Sequence, residues 1–297
     1  MLKKTIAVAA SITLAATVFV ATSDNPVEAA APVLMGVHDD VAPKDLAKRY
    51  PGVRATREFV NGVQPVKSDL RKKYAGVAQA SWDAGLIPFV SIKTAPAATG
   101  SGKYDVRFRE LAEWLKDRPD TYFIWYHEPE NDMDGQTFAK AFKHVRDVMK
   151  AANPQVKVGY SAMAFQWDGQ PRTKDPKPWR VAADFYGADT YSGGTQPATA
   201  IVSEHAGHVR WYREVVQKTP GAAAKWGLTE RGFKRTKSDQ GRADEIDRET
   251  AYLDGLPAGS RPAFYLYWNT KGTEGDPDLV NGPKARAAVA RMVGKLG

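Results

Sequence analysis

The sequence predicts a single-domain α/β protein, a (β/α)8 TIM barrel, on three observations. Eight strand-like runs recur along the chain, helical patterns lie between most of them, and polar and aromatic residues gather at the C-terminal ends of runs whose bodies are apolar. An open doubly wound sheet is the structural alternative, but the usual glycine-rich phosphate turn after the first strand is missing.

Val33 to Asp39 is the first strand, with a short helix over 43–50. Val53 to Phe59 is the second, and an amphipathic helix over 67–84 stops at Gly85, a residue suited to the left-handed position past a helix end. Leu86 to Lys93 is the third, followed by a Gly- and Ala-rich loop and a helix over 105–116. The fourth, from Tyr122, is an aromatic and β-branched run that changes abruptly at His127 into HEPEND, with a helix over 136–152 behind it. Val156 to Phe165 is the fifth, with a polar, proline-rich loop after it. Asp184 to Ser192 is the sixth, with a helix over 201–218. Lys225 to Phe233, KWGLTERGF, is the seventh, with a helix over 243–255. Ala263 to Asn269 is the eighth, and a basic amphipathic helix over 284–296 closes the chain.

Residues 1–29 read as a secretory signal peptide: Lys3 and Lys4, an uncharged apolar run from Ile6 to Thr22, and a small-residue tract with cleavage expected after Ala29. Residues 30–297 then form the domain, about 265 residues, enough for one large core. No later segment approaches a membrane span, so the product is expected to be secreted, extracellular and off the membrane, and to act as a monomer. There is no cysteine, so stability must come from packing rather than disulfides. The net charge of +8 is spread without a basic run interleaved with aromatics, which argues against nucleic acid as a partner.

In a (β/α)8 barrel the functional face lies at the C-terminal ends of the strands. Those ends supply His38, Asp39 and Asp40, then Arg57 and Glu58, Lys93, His127 and Glu128, Phe165 and Trp167, Asp189 and Tyr191, Glu230, and Trp268 and Asn269. Glu130, Asp132 and Asp134 precede a helix, where acids commonly complement the N-terminus. Glu128 and Glu230 each end a strand directly, and glycosidic bond cleavage needs such a pair: one proton donor and one nucleophile or base. The donor must hold its proton near neutral pH. The nucleophile must stay ionised, with Tyr191 and Arg57 the natural donors to it. Trp268 offers a flat apolar face to a sugar ring, with Trp167 and Trp179 as further subsites.

The pairing of a strand-four glutamate with a strand-seven glutamate resembles clan A glycoside hydrolases. The His-Glu order of His127 and Glu128 is similar to glycoside hydrolase family 26, mostly β-mannanases with some enzymes for other β-glycans. The resemblance implies Glu128 as acid/base, Glu230 as nucleophile, His127 as a contact in the adjoining sugar subsite, Tyr191 as the nucleophile's hydrogen-bond partner and Trp268 as the stacking platform. Arg57, His38, Asp39 and Trp167 complete the expected substrate-binding set. The Arg-Pro that usually precedes the catalytic strand end in mannanases is absent. This reading calls for a polysaccharide substrate and for no cofactor or metal. Two other readings stand beside it: a metal-dependent polysaccharide deacetylase or hydrolase using His38, Asp39, Asp40 and His127 as ligands, and a barrel that binds glycans without cleaving them.

Overall fold

A computed structural model describes residues 31–60, 69–163, 179–192, 225–233, 238–270 and 282–297. Eight parallel strands close into a barrel in chain order: β1 (Leu34–Asp39), β2 (Ala55–Val60), β3 (Ile87–Ile92), β4 (Tyr122–His127), β5 (Lys157–Met163), β6 (Phe185–Ser192), β7 (Trp226–Phe233) and β8 (Phe264–Asn269). Closure is made by β8 against β1, in register from Leu34 with Phe264 to Asp39 with Asn269.

The helices described are α1 (Pro43–Arg49), α2 (Leu70–Asp83), α3 (Pro96–Gly100), α4 (Asp105–Leu115), α5 (Gly135–Ala152), α6 (Asp239–Asp254) and α7 (Pro283–Leu296). Caps explain their limits. Asp69 accepts from the Lys72 amide to start α2, and Gly85 at φ +72° follows its end. Asp134 accepts from the amides of Gln136 and Thr137 at the head of α5. Ser238 caps α6 through the Gly241 amide, so this helix begins at Asp239 rather than at 243 as expected. The Gly- and Ala-rich loop after β3 contains the short helix α3, with Pro96 in its first turn. The helix expected over 201–218 lies outside the described residues. Among the described residues, no helix is long and apolar enough to cross a membrane.

Two apolar layers follow from strand alternation. Inward residues Ala55, Phe89, Ile124, Phe185, Phe264 and Leu266 fill the barrel, with Phe89 stacked on Tyr122 at 4.1 Å between ring centres. Gly159 and Gly227 also face inward, where the aromatic filling needs the room: a Cβ there would meet the Phe185 carbonyl oxygen at 2.6 Å and that of Phe264 at 2.3 Å. Outward residues pack against the helices. Trp125 of β4 and Tyr160 of β5 meet Phe138 and Phe142, which lie one turn apart on the buried face of α5.

Alternation is interrupted twice, at the ends of β4 and β7. The pairing of β4 with β5 shifts by one residue between Ile124 and His127, where Tyr126 takes φ +68°. Against β8, Leu228 pairs with Tyr265 but Arg231 with Tyr267, so β7 also carries one extra residue. A bulge of this kind re-aims the side chains that follow it. Both glutamates lie at such a point.

Candidate active site

Beyond the first bulge, His127 and Glu128 leave β4 together. Glu128 takes the left-handed conformation (φ +50°, ψ +50°), uncommon for a residue with a Cβ. Its amide donates to the Ser161 carbonyl at 2.8 Å, and Asn131 Nδ2 donates to its Oε2 at 3.2 Å. Two bonds therefore hold the strained turn. Glu130, in the same turn, is buried and accepts from the Met163 amide at the end of β5.

Beyond the second bulge, Thr229 and Glu230 both face the barrel interior. Thr229 Oγ1 donates to Asp189 Oδ1 at 2.7 Å and lies 2.5 Å from Ser161 Oγ. Glu230 Oε1 accepts from Arg57 Nη2 at 3.1 Å, and Oε2 accepts from the Tyr191 hydroxyl at 2.5 Å.

Glu128 and Glu230 are thereby brought face to face, with Asp189 beside them. One carboxylate oxygen from each of the three lies within 4.8 Å of the others. Burial, and then the negative charge of Asp189, push the Glu128 carboxyl up to about 7, so near neutral pH it carries a proton for part of the time. Burial also pushes Glu230 up, opposed by the Arg57 guanidinium and the Tyr191 hydroxyl. Among the described residues Asp189 has no direct cation, and burial followed by the charge of Glu230 pushes it up to about 8. The Arg57 guanidinium on Glu230 favours the anionic form of that carboxyl.

An aromatic wall stands beside the carboxylates. Trp268, half-buried, lies over His38 at 4.2 Å, and Phe59 meets His38, His127 and Trp268 edge-on at 5.5, 5.1 and 5.7 Å. His38 Nδ1 donates to the Arg57 carbonyl at 2.6 Å, which leaves Nε2 as its acceptor. Burial lowers both imidazoles, His38 to about 4 and His127 to about 2, the latter helped by Arg57 and Lys93. Both rings are neutral at physiological pH.

Several expected residues take other places. Asp39 is held by protein partners on the outer side of β1. It follows the inward His38, so alternation turns it to the helix layer, where it binds Tyr50 Oη at 2.7 Å, Arg49 Nη1 at 3.1 Å and Asn269 Nδ2 at 2.6 Å. Arg57 is fully buried and directs its Nη donors to Glu230 and to the carbonyls of Glu58 and Phe89, so it supports the carboxylate. Trp179 is buried and stacked on Phe138 at 5.1 Å, a core residue rather than a subsite. Asp132 pairs with Lys93 at 2.9 Å instead of capping α5. Trp167 and Phe165 lie outside the described residues.

The supposed metal ligands do not converge. His38 bonds a carbonyl, Asp39 faces α1 and Asp40 accepts from Thr270 at 2.5 Å. The Glu128, Asp189 and Glu230 oxygens have a spacing a divalent cation could use, and among the described residues the cation in direct contact with that group is the Arg57 guanidinium on Glu230. Sequence reasoning gave Asp189, Asn131 and Phe59 no role at the site. Asp189 had a signal, since it lies two residues before Tyr191 on one strand and so shares its face. Glu130 had none beyond its place before a helix.

No known protein-family model matches the chain, and no curated protein matches it. Solved structures do share its fold, and those similar to it include glycoside hydrolases. A family 39 glycoside hydrolase from Bacteroides cellulosilyticus WH2 superposes with a TM-score of 0.64 at 15% identity, over 88% of this chain and 63% of its own, so the present chain spans under two thirds of that protein. A glucosidase from Croceicoccus marinus gives 0.60 at 12% identity, over 89% and 67%. The hyperthermostable endo-1,4-beta-D-mannanase from Thermotoga petrophila RKU-1 gives 0.60 at 11%, over 88% and 99%. At such identities the likeness is one of fold.

Proposed function

We propose that the protein is a retaining glycoside hydrolase that cleaves a β-linked polysaccharide by double displacement. The observation that carries this reading is that one carboxylate oxygen of Glu128 and one of Glu230 lie within 4.8 Å of each other across the barrel mouth. Retaining enzymes hold their two carboxyls about 5 to 5.5 Å apart, whereas inverting ones leave about 6.5 to 9.5 Å for a water.

Glu230, its two oxygens held by Arg57 and Tyr191, attacks the anomeric carbon while Glu128 gives its proton to the departing glycosidic oxygen. The glycosyl-enzyme ester forms as the glycosidic bond breaks. Glu128, now ionised, takes a proton from water, whose oxygen displaces Glu230 from the sugar. The product keeps its anomeric configuration and both glutamates return to their starting states. Trp268, backed by His38, supplies the stacking face, and His127 stands next to the acid.

The His-Glu order favours β-mannan or a related β-glycan as substrate, and the N-terminal charge and apolar pattern favours secretion. The test is incubation with mannan, xylans, mixed-linkage glucan and bacterial capsule or wall polymers, with the first-formed anomer read by proton NMR. Retained configuration is expected. Binding with no released sugar after long incubation would mark a glycan-binding barrel, and a first product of inverted configuration would remove the double displacement.

A further inference from the structure

Behind Glu230, on the outer side of β7, lies a second charged group that the proposed chemistry does not use. Arg231 and Glu249 of α6 have fully buried side chains. Arg231 Nε and Nη2 reach Glu249 Oε2 at 3.0 and 2.8 Å, and the Tyr265 hydroxyl of β8 donates to Glu249 Oε1 at 2.8 Å. Arg231 also lies over the Phe233 ring at 4.7 Å. A buried ion pair is weak evidence for stability, since apolar residues of like volume often serve as well. Its place in the strand gives it another use.

Without the extra residue in β7, alternation from the inward Gly227 would send Thr229 inward, Glu230 outward and Arg231 inward. The observed bulge sends Thr229 and Glu230 both inward and Arg231 outward. Slipping the strand back would pull the guanidinium off Glu249 and leave that carboxylate buried against Tyr265, a costly state. We infer that Arg231 and Glu249 are positioning residues: their forked pair, closed by Tyr265, locks the β7 bulge in the register that aims Glu230 at the cleft. Its catalytic consequence rests on the reading of Glu230 as the nucleophile.

The test replaces the anchor by apolar volume in the triple variant Arg231→Met, Glu249→Leu, Tyr265→Phe, which removes both charges of the pair together. Two readings are taken: hydrolysis of an activated aryl glycoside, and the carbon-13 titration of the Glu230 carboxyl, assigned by its loss in Glu230→Gln. A cooperatively folded triple variant is expected to lose about 100-fold in kcat with KM little changed, the scale of a misplacement near 1 Å. Its Glu230 should titrate at higher pH than in the parent, because the carboxyl stays buried while Arg57 and Tyr191 let go. Parental kcat and parental titration in the folded triple variant would overturn the inference. Should the triple variant not fold, Glu249→Gln, which keeps the shape and one acceptor, is read by the same titration, and an unmoved Glu230 there overturns it too. If the parent protein cleaves no glycoside, the catalytic reading fails, while the titration still decides whether the outer pair aims Glu230.

Discussion

Arg57 Nη2 and Glu230 Oε1 lie 3.1 Å apart, the guanidinium fully buried and the carboxylate nearly so. They come from β2 and β7, far apart in the chain, and this contact is what allows a buried carboxyl to remain an anion. Replacing Arg57 by Met removes the opposing charge and should raise the Glu230 pKa further. Glu230 acts as its anion, so the acid limb of the activity profile should move to higher pH. An unmoved acid limb in kcat/KM against pH would contradict this.

Tyr191 bonds the other oxygen of Glu230, so the two supports can be separated from the nucleophile itself. Glu230→Ala should abolish turnover in a protein that still folds cooperatively, with a lowered melting temperature because the buried Arg57 guanidinium loses its partner. Added azide should partly restore cleavage of an activated substrate, with inverted product, because it fills the vacated space and attacks the same face. Undiminished activity would remove Glu230 from the mechanism.

Glu128 should show its role through the leaving group. Glu128→Ala is expected to lose about 10²- to 10⁴-fold on substrates with poor leaving groups and far less on activated ones, since protonation matters most for the former. In the parent, activity should fall as pH rises through about 7, where the acid loses its proton. Equal losses across a series of leaving groups would make Glu128 structural.

Carboxyls pushed upward by burial include Glu58, to about 6, Glu128, to about 7, and Glu130 and Asp189, to about 8. The folded protein therefore holds protons that the unfolded chain has released, and binding more protons when folded means that stability declines as pH rises. This contribution is fully present below the unfolded carboxyl values near 4 and is lost through the window up to about 8. Melting temperatures across that range should fall, and Asp189→Asn should flatten the decline. A melting temperature that rises through the window would show the carboxyls to be held as anions instead.

Gly227→Ala should destabilise the barrel by about 1 to 3 kcal/mol, because its Cβ would press on the backbone oxygen of Phe264, which cannot turn aside as a side chain can. Urea unfolding of the two proteins measures it. A variant as stable as the parent would mean that β7 and β8 can separate at this point without cost.

The order of strands, the barrel and the two glutamates were legible in the sequence because they depend on local pattern: apolar bodies, turn residues and an acid where each strand stops. The direction in which each neighbour points was less legible. Asp39 and Asp189 are both strand-end aspartates, yet one braces α1 and the other joins Glu128 and Glu230, a difference set by strand parity. Composition determined a core without disulfides and a chain long enough to close eight strands around it. Only the tertiary structure decided that Glu128 and Glu230 meet, because each aim depends on a one-residue bulge, and a bulge arises from pairing with the neighbouring strand rather than from the residues of its own.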